Sequence, residues 1–375
     1  MGSAEEERCA AALAALDIGP ARLRRLLQDR RPTTAWQALE RGAHPEDPDG
    51  RAMGMLGPEL LERVGRAVAA AGTSVFVLGA DGYPSSLATD DEAPAVLFVR
   101  GDAGVLDGRP RVAVVGTRSA SAAGLEVAHE MGRTLAEAGV VVVSGLATGI
   151  DSAALTGALD ASGGAAPVTV LGTSHDGRAT PAQRSLQMRI AERGAVLSEQ
   201  APGSHGARWR FAARNRIMAA LAHLVVVVEC HVEGGALHTV RAARRRAVPV
   251  AAVPGSVHQA ASAGANALLV EGAACVRHGS DVLGLLATSC DPSLVSALRR
   301  LGRTSRGRMV DGLDAESATV LAALGPDPLE LGRLVDRCDL PFGIVARSLG
   351  QLRDLGLAES AGGWWRRIGS AGGRR

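Results

Sequence analysis

Seven short apolar runs constrain this chain more than any other feature. They lie at 111–115, 140–144, 168–171, 195–198, 224–229, 249–253 and 274–276, and valine dominates them. Each is apolar along nearly its whole length rather than alternating, as strands covered on both faces are. Each is followed by a loop with glycine or serine and then an Ala/Leu/Arg segment of helical pattern. That alternation predicts an α/β fold built on a Rossmann-like, doubly wound parallel sheet over residues 76–288. Ligands of such sheets bind in the loops beyond the strands' C-terminal ends.

The flanks read differently. Over residues 1–75 Leu13, Leu16, Leu23, Leu26 and Leu27 carry helical spacing, broken at Gly19-Pro20. The spacing predicts a helical domain of SAM or helix-hairpin-helix type. Its turn at Ile18–Arg22 either aims a helix N-terminus at phosphate or is an ordinary helical hairpin. Residues 289–311 read as a basic linker, with Arg299, Arg300, Arg303, Arg306 and Arg308. Residues 312–368 predict a winged-helix domain, with helices at 315–324, 329–338 and 342–355 and a hairpin wing around Gly362-Gly363.

Composition narrows the chemistry. All 41 basic residues are arginine, so lysine-based catalysis and a Walker-A lysine are excluded. Formal net charge is only +2, so a nucleic-acid surface requires local clustering of arginine. The five cysteines are scattered without a CxxC pair, which suggests neither a zinc site nor a disulfide framework. Acidic residues follow the first four positions at once, unlike a signal peptide, and the apolar runs are too short to span a bilayer. A cytoplasmic protein with no membrane partner, metal or cofactor is expected.

Five loops fall in the right phase to meet at one crevice. The first, Gly116-Thr117-Arg118, ends the first central strand with a glycine, a hydroxyl and a charged fork. The second runs from Ser144-Gly145 to Gly149-Ile150-Asp151, where Asp151 is read as an N-cap rather than a catalytic acid. The third, Arg208–Arg216, holds four arginines and two of the nine aromatic residues. Arg214, Asn215 and Arg216 are assigned to phosphate contact. Trp209 and Phe211 are either packing anchors or base-stacking rings. The fourth contains Gly234-Gly235 and Thr239 before a helix, and the fifth Pro254-Gly255.

In order and spacing these loops resemble the DNA-processing protein A (DprA/Smf) family over roughly residues 80–285. Gly116–Arg118 is similar to that family's G-S/T-R, and 144–151 to S-G-x-A-x-G-I-D. Arg214–Arg216 matches R-N-R; Gly235, Leu237 and Thr239 fit S-G-S-L-x-T; Pro254-Gly255 with Gly264 and Asn266 fits P-G…G-x-N. Tyr83–Leu87 resembles the start of the domain. The sequence departs from the pattern at Leu155, where the family has histidine, in the 176–183 stretch, at Gly234 and Ala236, and at Ala212. The resemblance implies a homodimeric recombination mediator that binds single-stranded DNA and helps load a RecA-type recombinase, as in natural transformation. By resemblance Arg118 and Arg214–Arg216 line the DNA pocket.

Two other readings compete. A phosphoribohydrolase-like enzyme would carry a glutamate after its glycine-rich motif, but Thr239 is followed by Val240-Arg241-Ala242 without a carboxylate. His238, Asp176 and Glu199 are weak acid/base candidates, better read as surface, capping or ion-paired residues. A partner-binding module without DNA has only the C-terminal domain for it, whose third helix carries Arg347 and Arg353 offset by Asp354. A binding protein that is not an enzyme is therefore expected.

Overall fold

The computed structural model describes residues 3–16, 18–204, 207–289, 313–325, 327–361 and 363–368. The chain divides into two compact units, 1–299 and 300–375. The expected linker at 289–311 lies, apart from the backbone of Ser289, outside the described residues.

The first unit is built on a nine-stranded sheet. Its strands are β1 (Ser74–Val77), β2 (Val96–Gly101), β3 (Arg111–Val115), β4 (Val141–Ser144), β5 (Val168–Leu171), β6 (Ala195–Ser198), β7 (Leu224–Val227), β8 (Val250–Ala252) and β9 (Ala274–Cys275). The order across the sheet is β1-β2-β6-β5-β4-β3-β7-β8-β9. The seven runs read from the sequence become the seven parallel strands β3–β9. β3, β4, β5, β6 and β7 are buried almost throughout, which is why they read as unbroken apolar runs. β1 and β2 extend the sheet antiparallel and were not read from the sequence.

Those two strands explain the position of the N-terminal helices. Helices Ser3–Ala14, Pro20–Leu27, Pro32–Glu40 and Pro58–Ala71 bury Leu13, Leu16, Leu23, Leu26 and Leu27 in one cluster with Val75, Val96 and Phe98. The helical segment therefore shares its core with the sheet edge, and a boundary near residue 75 cuts through β1. Gly19, at φ +83°, lets the chain turn sharply before Pro20 starts the second helix. Arg24 at the same helix donates to the carbonyls of Asp90 (3.2 Å) and Asp91.

Two histidines shielded from solvent, His175 buried and His223 half-buried, make this unit acid-sensitive. Burial lowers His175 to about 4, and burial together with the nearby Arg111 lowers His223 to about 4. The unfolded chain takes up protons near the ordinary imidazole value of about 6.5, while the folded chain resists until about 4. Stability is therefore present above roughly pH 6.5 and is lost as pH falls toward 4. Thermal melts should show a Tm that drops between about pH 7 and pH 4.5. A Tm that stays level over that interval would contradict the shielding of these two rings.

The second unit has helices Ala315–Ala323, Leu331–Cys338 and Phe342–Asp354. Strands β10 (Leu329–Glu330), β11 (Ala358–Ala361) and β12 (Trp364–Arg367) form an antiparallel sheet in the order β10-β12-β11. Leu334, Val345, Leu349 and Leu352 form its own core. Residues 329–330, read as the start of a helix, are extended instead because they pair with Trp364 and Trp365. Gly363 takes φ +85° in the turn between β11 and β12; Gly362 lies outside the described residues.

Candidate nucleic-acid interface

The sheet changes direction at β3. β4 lies on one side of it and β7 on the other, so the loops beyond β3 and β7 splay apart and leave a crevice. A cavity of about 450 Å³ opens there. Of the residues singled out from the sequence, Gly116, Thr117, Arg118, Asp151, Phe211, Arg214, Asn215, Gly234, Gly235, His238 and Thr239 line it. Ser144, Gly145, Gly149, Trp209, Arg216 and Gly255 do not.

Arg118 is exposed and its guanidinium stands 5.6 Å from the centre of the Phe211 ring. Phe211 is 37% exposed and rests on Gly172, where a Cβ would fall 2.7 Å from the ring. A cation and a ring face are thus stacked at the mouth of the cavity, where both are open to a ligand. The Arg208–Arg216 segment was expected as a loop; it lies inside the helix Arg208–Leu221. Helical spacing turns Arg210 and Arg214 inward and Phe211 outward. Of Arg208 only the backbone is described.

Arg214 has a different environment from the one its sequence context suggests. It is buried; its Nη1 donates to the carbonyl oxygens of Gly145 (2.7 Å) and Val170, and its Nε to Asn215 Oδ1 (3.2 Å). Burial lowers its guanidinium to about 10 against the pull of Asp151. Gly145 is the seat for this group: a Cβ there would lie 2.5 Å from the guanidinium carbon. Arg216 is also engaged, in an ion pair with Glu199 at 2.6 Å. Asn215 is buried, with its Nδ2 3.4 Å from the Gly235 carbonyl.

Asp151 is not the N-cap expected of it. Gly149, at φ +93°, holds that position. Asp151 is buried, which raises its carboxyl, while Arg214 and the amides of Ala147, Gly116 and Gly145 pull it down. It ties the first two loops together from below. Ser144 donates to the Val114 carbonyl at 2.6 Å and joins β4 to β3. Gly255 exchanges two 3.0 Å hydrogen bonds with Asn266, away from the cavity. Trp209, 50% exposed, faces a shallow groove with Ile18, Gly19, Pro20 and Glu199 instead of joining Phe211.

The sequence departures are repacked rather than left open. Leu155 is fully buried with Leu146, Leu159, Leu171 and Ile190. Thr180 and Gln183 form a reciprocal capping box, and Gln183 also donates to the Leu146 carbonyl at 2.9 Å. Asp176 accepts from the Gly203 amide, 2.9 Å at its shorter contact. The lining also holds Ala147, Cys230 and His231, which stand in the loops read from the sequence but were given no role there. Sequence reasoning also gave Glu229 no role, although a carboxylate ending a wholly apolar strand at the crevice is a signal. Among the described residues no His, Cys, Asp and Glu are grouped to hold a metal, and no helix is long and apolar enough to cross a membrane.

Close approach fixes the glycines unequally. A Cβ at Gly116 would lie 2.5 Å from Ile150 Cγ1 and 2.7 Å from the Glu229 carbonyl oxygen, whereas one at Gly235 would meet nothing within 4 Å. Gly116→Ala is expected to cost about 1–3 kcal/mol through overpacking, and Gly235→Ala less than about 0.5 kcal/mol. Urea unfolding of the two variants checks the contrast.

A family model described as DNA recombination-mediator protein A matches residues 74–287. The DNA processing protein DprA of Streptococcus pneumoniae strain R6 is 39% identical over 203 residues, 54% of this chain and 71% of that protein. The X-ray structure of DprA from S. pneumoniae matches with a TM-score of 0.62 and 31% identity, over 73% of this chain and 95% of that one. A Helicobacter pylori DprA, described for its single-stranded DNA binding mode, shares the fold at TM-score 0.52 and 24% identity, over 59% of this chain and 99% of that one.

Proposed function

The chain belongs to the DNA recombination-mediator protein A family, and we propose that it holds single-stranded DNA at the β3/β7 crevice without catalysing a reaction. The observation that carries this reading is Arg118 stacked on the exposed Phe211 ring above backbone opened by Gly116. A guanidinium meets a phosphate and a ring face meets a base. That combination suits a flexible strand of any sequence, because every nucleotide has both. The buried carboxylates of the crevice support binding over catalysis. Asp151 is held by Arg214 and loop amides, and Glu229 by Ser121, so neither is placed as a free base.

Family membership extends the reading. The protein acts as a cytoplasmic homodimer that helps load a RecA-type recombinase onto the strand, with 312–368 as a winged-helix domain and 1–75 as a helical accessory domain. The three helices and the β11–β12 hairpin of the C-terminal unit support the winged-helix assignment.

Binding measured with oligo-dT and with a duplex of equal length tests the core of the proposal. Oligo-dT should bind at least about tenfold tighter, with affinity falling as salt rises. Equal affinity for the two forms refutes it.

A further inference from the structure

The helix Ala122–Glu137 follows β3, and its N-terminus is where the first βα turn of a Rossmann-like sheet seats a phosphate. Here that seat is filled from within the protein. Glu229, two residues beyond β7, accepts from the Ser121 amide at 2.9 Å and from the Ser121 hydroxyl at 2.6 Å. Ser121 in turn caps the helix by accepting from the Gly124 amide at 3.0 Å. The seat is shaped for the carboxylate: a Cβ on Gly124 would lie 2.5 Å from Glu229 Oε2. Glu229 is buried, and its own carbonyl oxygen accepts from the Thr117 amide at 2.7 Å.

One residue just past β7 therefore grips the β3 loop at both ends, at Thr117 and at Ser121, with Arg118 between them. We propose that Glu229 is a positioning residue for DNA binding: an internal anion in the phosphate seat that fixes the loop so that Arg118 projects over Phe211. The inference rests on the reading of Arg118 as a DNA contact. It has a counterintuitive sign. A carboxylate close to a bound polyanion repels it, so a purely electrostatic view expects removal of the charge to tighten binding. Positioning predicts the opposite, because Gln has one acceptor oxygen in place of two and makes neutral hydrogen bonds in place of charge-assisted ones, so Ser121 is held less firmly.

Oligo-dT affinity is measured for wild type, Glu229→Gln, Arg118→Ala and the double variant, each checked for an unchanged far-UV spectrum and a cooperative melt. Glu229→Gln should bind about five- to tenfold more weakly. Adding Arg118→Ala to it should cost much less than Arg118→Ala costs wild type, because the two act through one loop. Glu229→Gln binding as tightly as wild type, or more tightly, overturns the inference; so do additive losses. Should Glu229→Gln not fold, Ser121→Ala removes one of the two carboxylate contacts and is read by the same outcomes. Failure of wild type itself to bind oligo-dT would sink the reading of the site instead, so the two failures are distinguishable.

Discussion

Arg214→Met is expected to destabilise the first unit by about 3–5 kcal/mol, the cost of removing one partner from a buried charge pair. The side chain it replaces has Nη1 and Nε bonded to two backbone carbonyls and Asn215, and it faces the buried Asp151. Methionine fills much of the volume but strands the carboxyl and both carbonyls. Asp151→Asn in the same chain removes the stranded charge and should recover part of the loss. Urea unfolding of the single and double variants measures both effects. A sequence-only view of Arg214 as a phosphate contact expects a different result, full stability with weakened DNA binding. That outcome would show that the guanidinium is available to the ligand after all.

Arg118→Ala should leave stability within about 0.5 kcal/mol of wild type, since the residue is exposed and its guanidinium rests over the Phe211 ring. Its effect should fall on binding. A charge-assisted contact is worth about 1.5–3 kcal/mol, so affinity for oligo-dT should drop about ten- to a hundredfold. For each phosphate released from contact the slope of log affinity against log salt should flatten by about 0.7. The loss should be the same for oligo-dT and mixed-sequence strands, because phosphate contacts carry no sequence information. A full loss with an unchanged salt slope would assign Arg118 to base or ring contact alone.

The two arginines show how far the sequence reaches. Both stand in motif positions and both line the cavity, yet one is a surface group and the other a structural post. Helical phase separates them: in the helix Arg208–Leu221, Arg214 lies on the side that faces β5 and the second loop, where carbonyls await it. That phase was hidden because the arginine-rich segment reads as a loop. Phe211 and Trp209 look equivalent in the chain, but two residues of helix rotate them by about 200°, one toward the crevice and the other toward the N-terminal helices.

The sequence by itself determined the seven parallel strands, because a strand covered on both faces must be apolar along its whole length. It also determined the family, since glycines and hydroxyls after those strands carry the recognisable spacing. Only the tertiary structure decided which charges are free to meet a ligand. That choice depends on partners distant in the chain: Glu199 for Arg216, Gly145 and Val170 for Arg214, and Ser121 for Glu229. β2 was hidden for the same reason, because it pairs with β6 across about a hundred residues of sequence, and the edge strand β1 follows from it by pairing with β2.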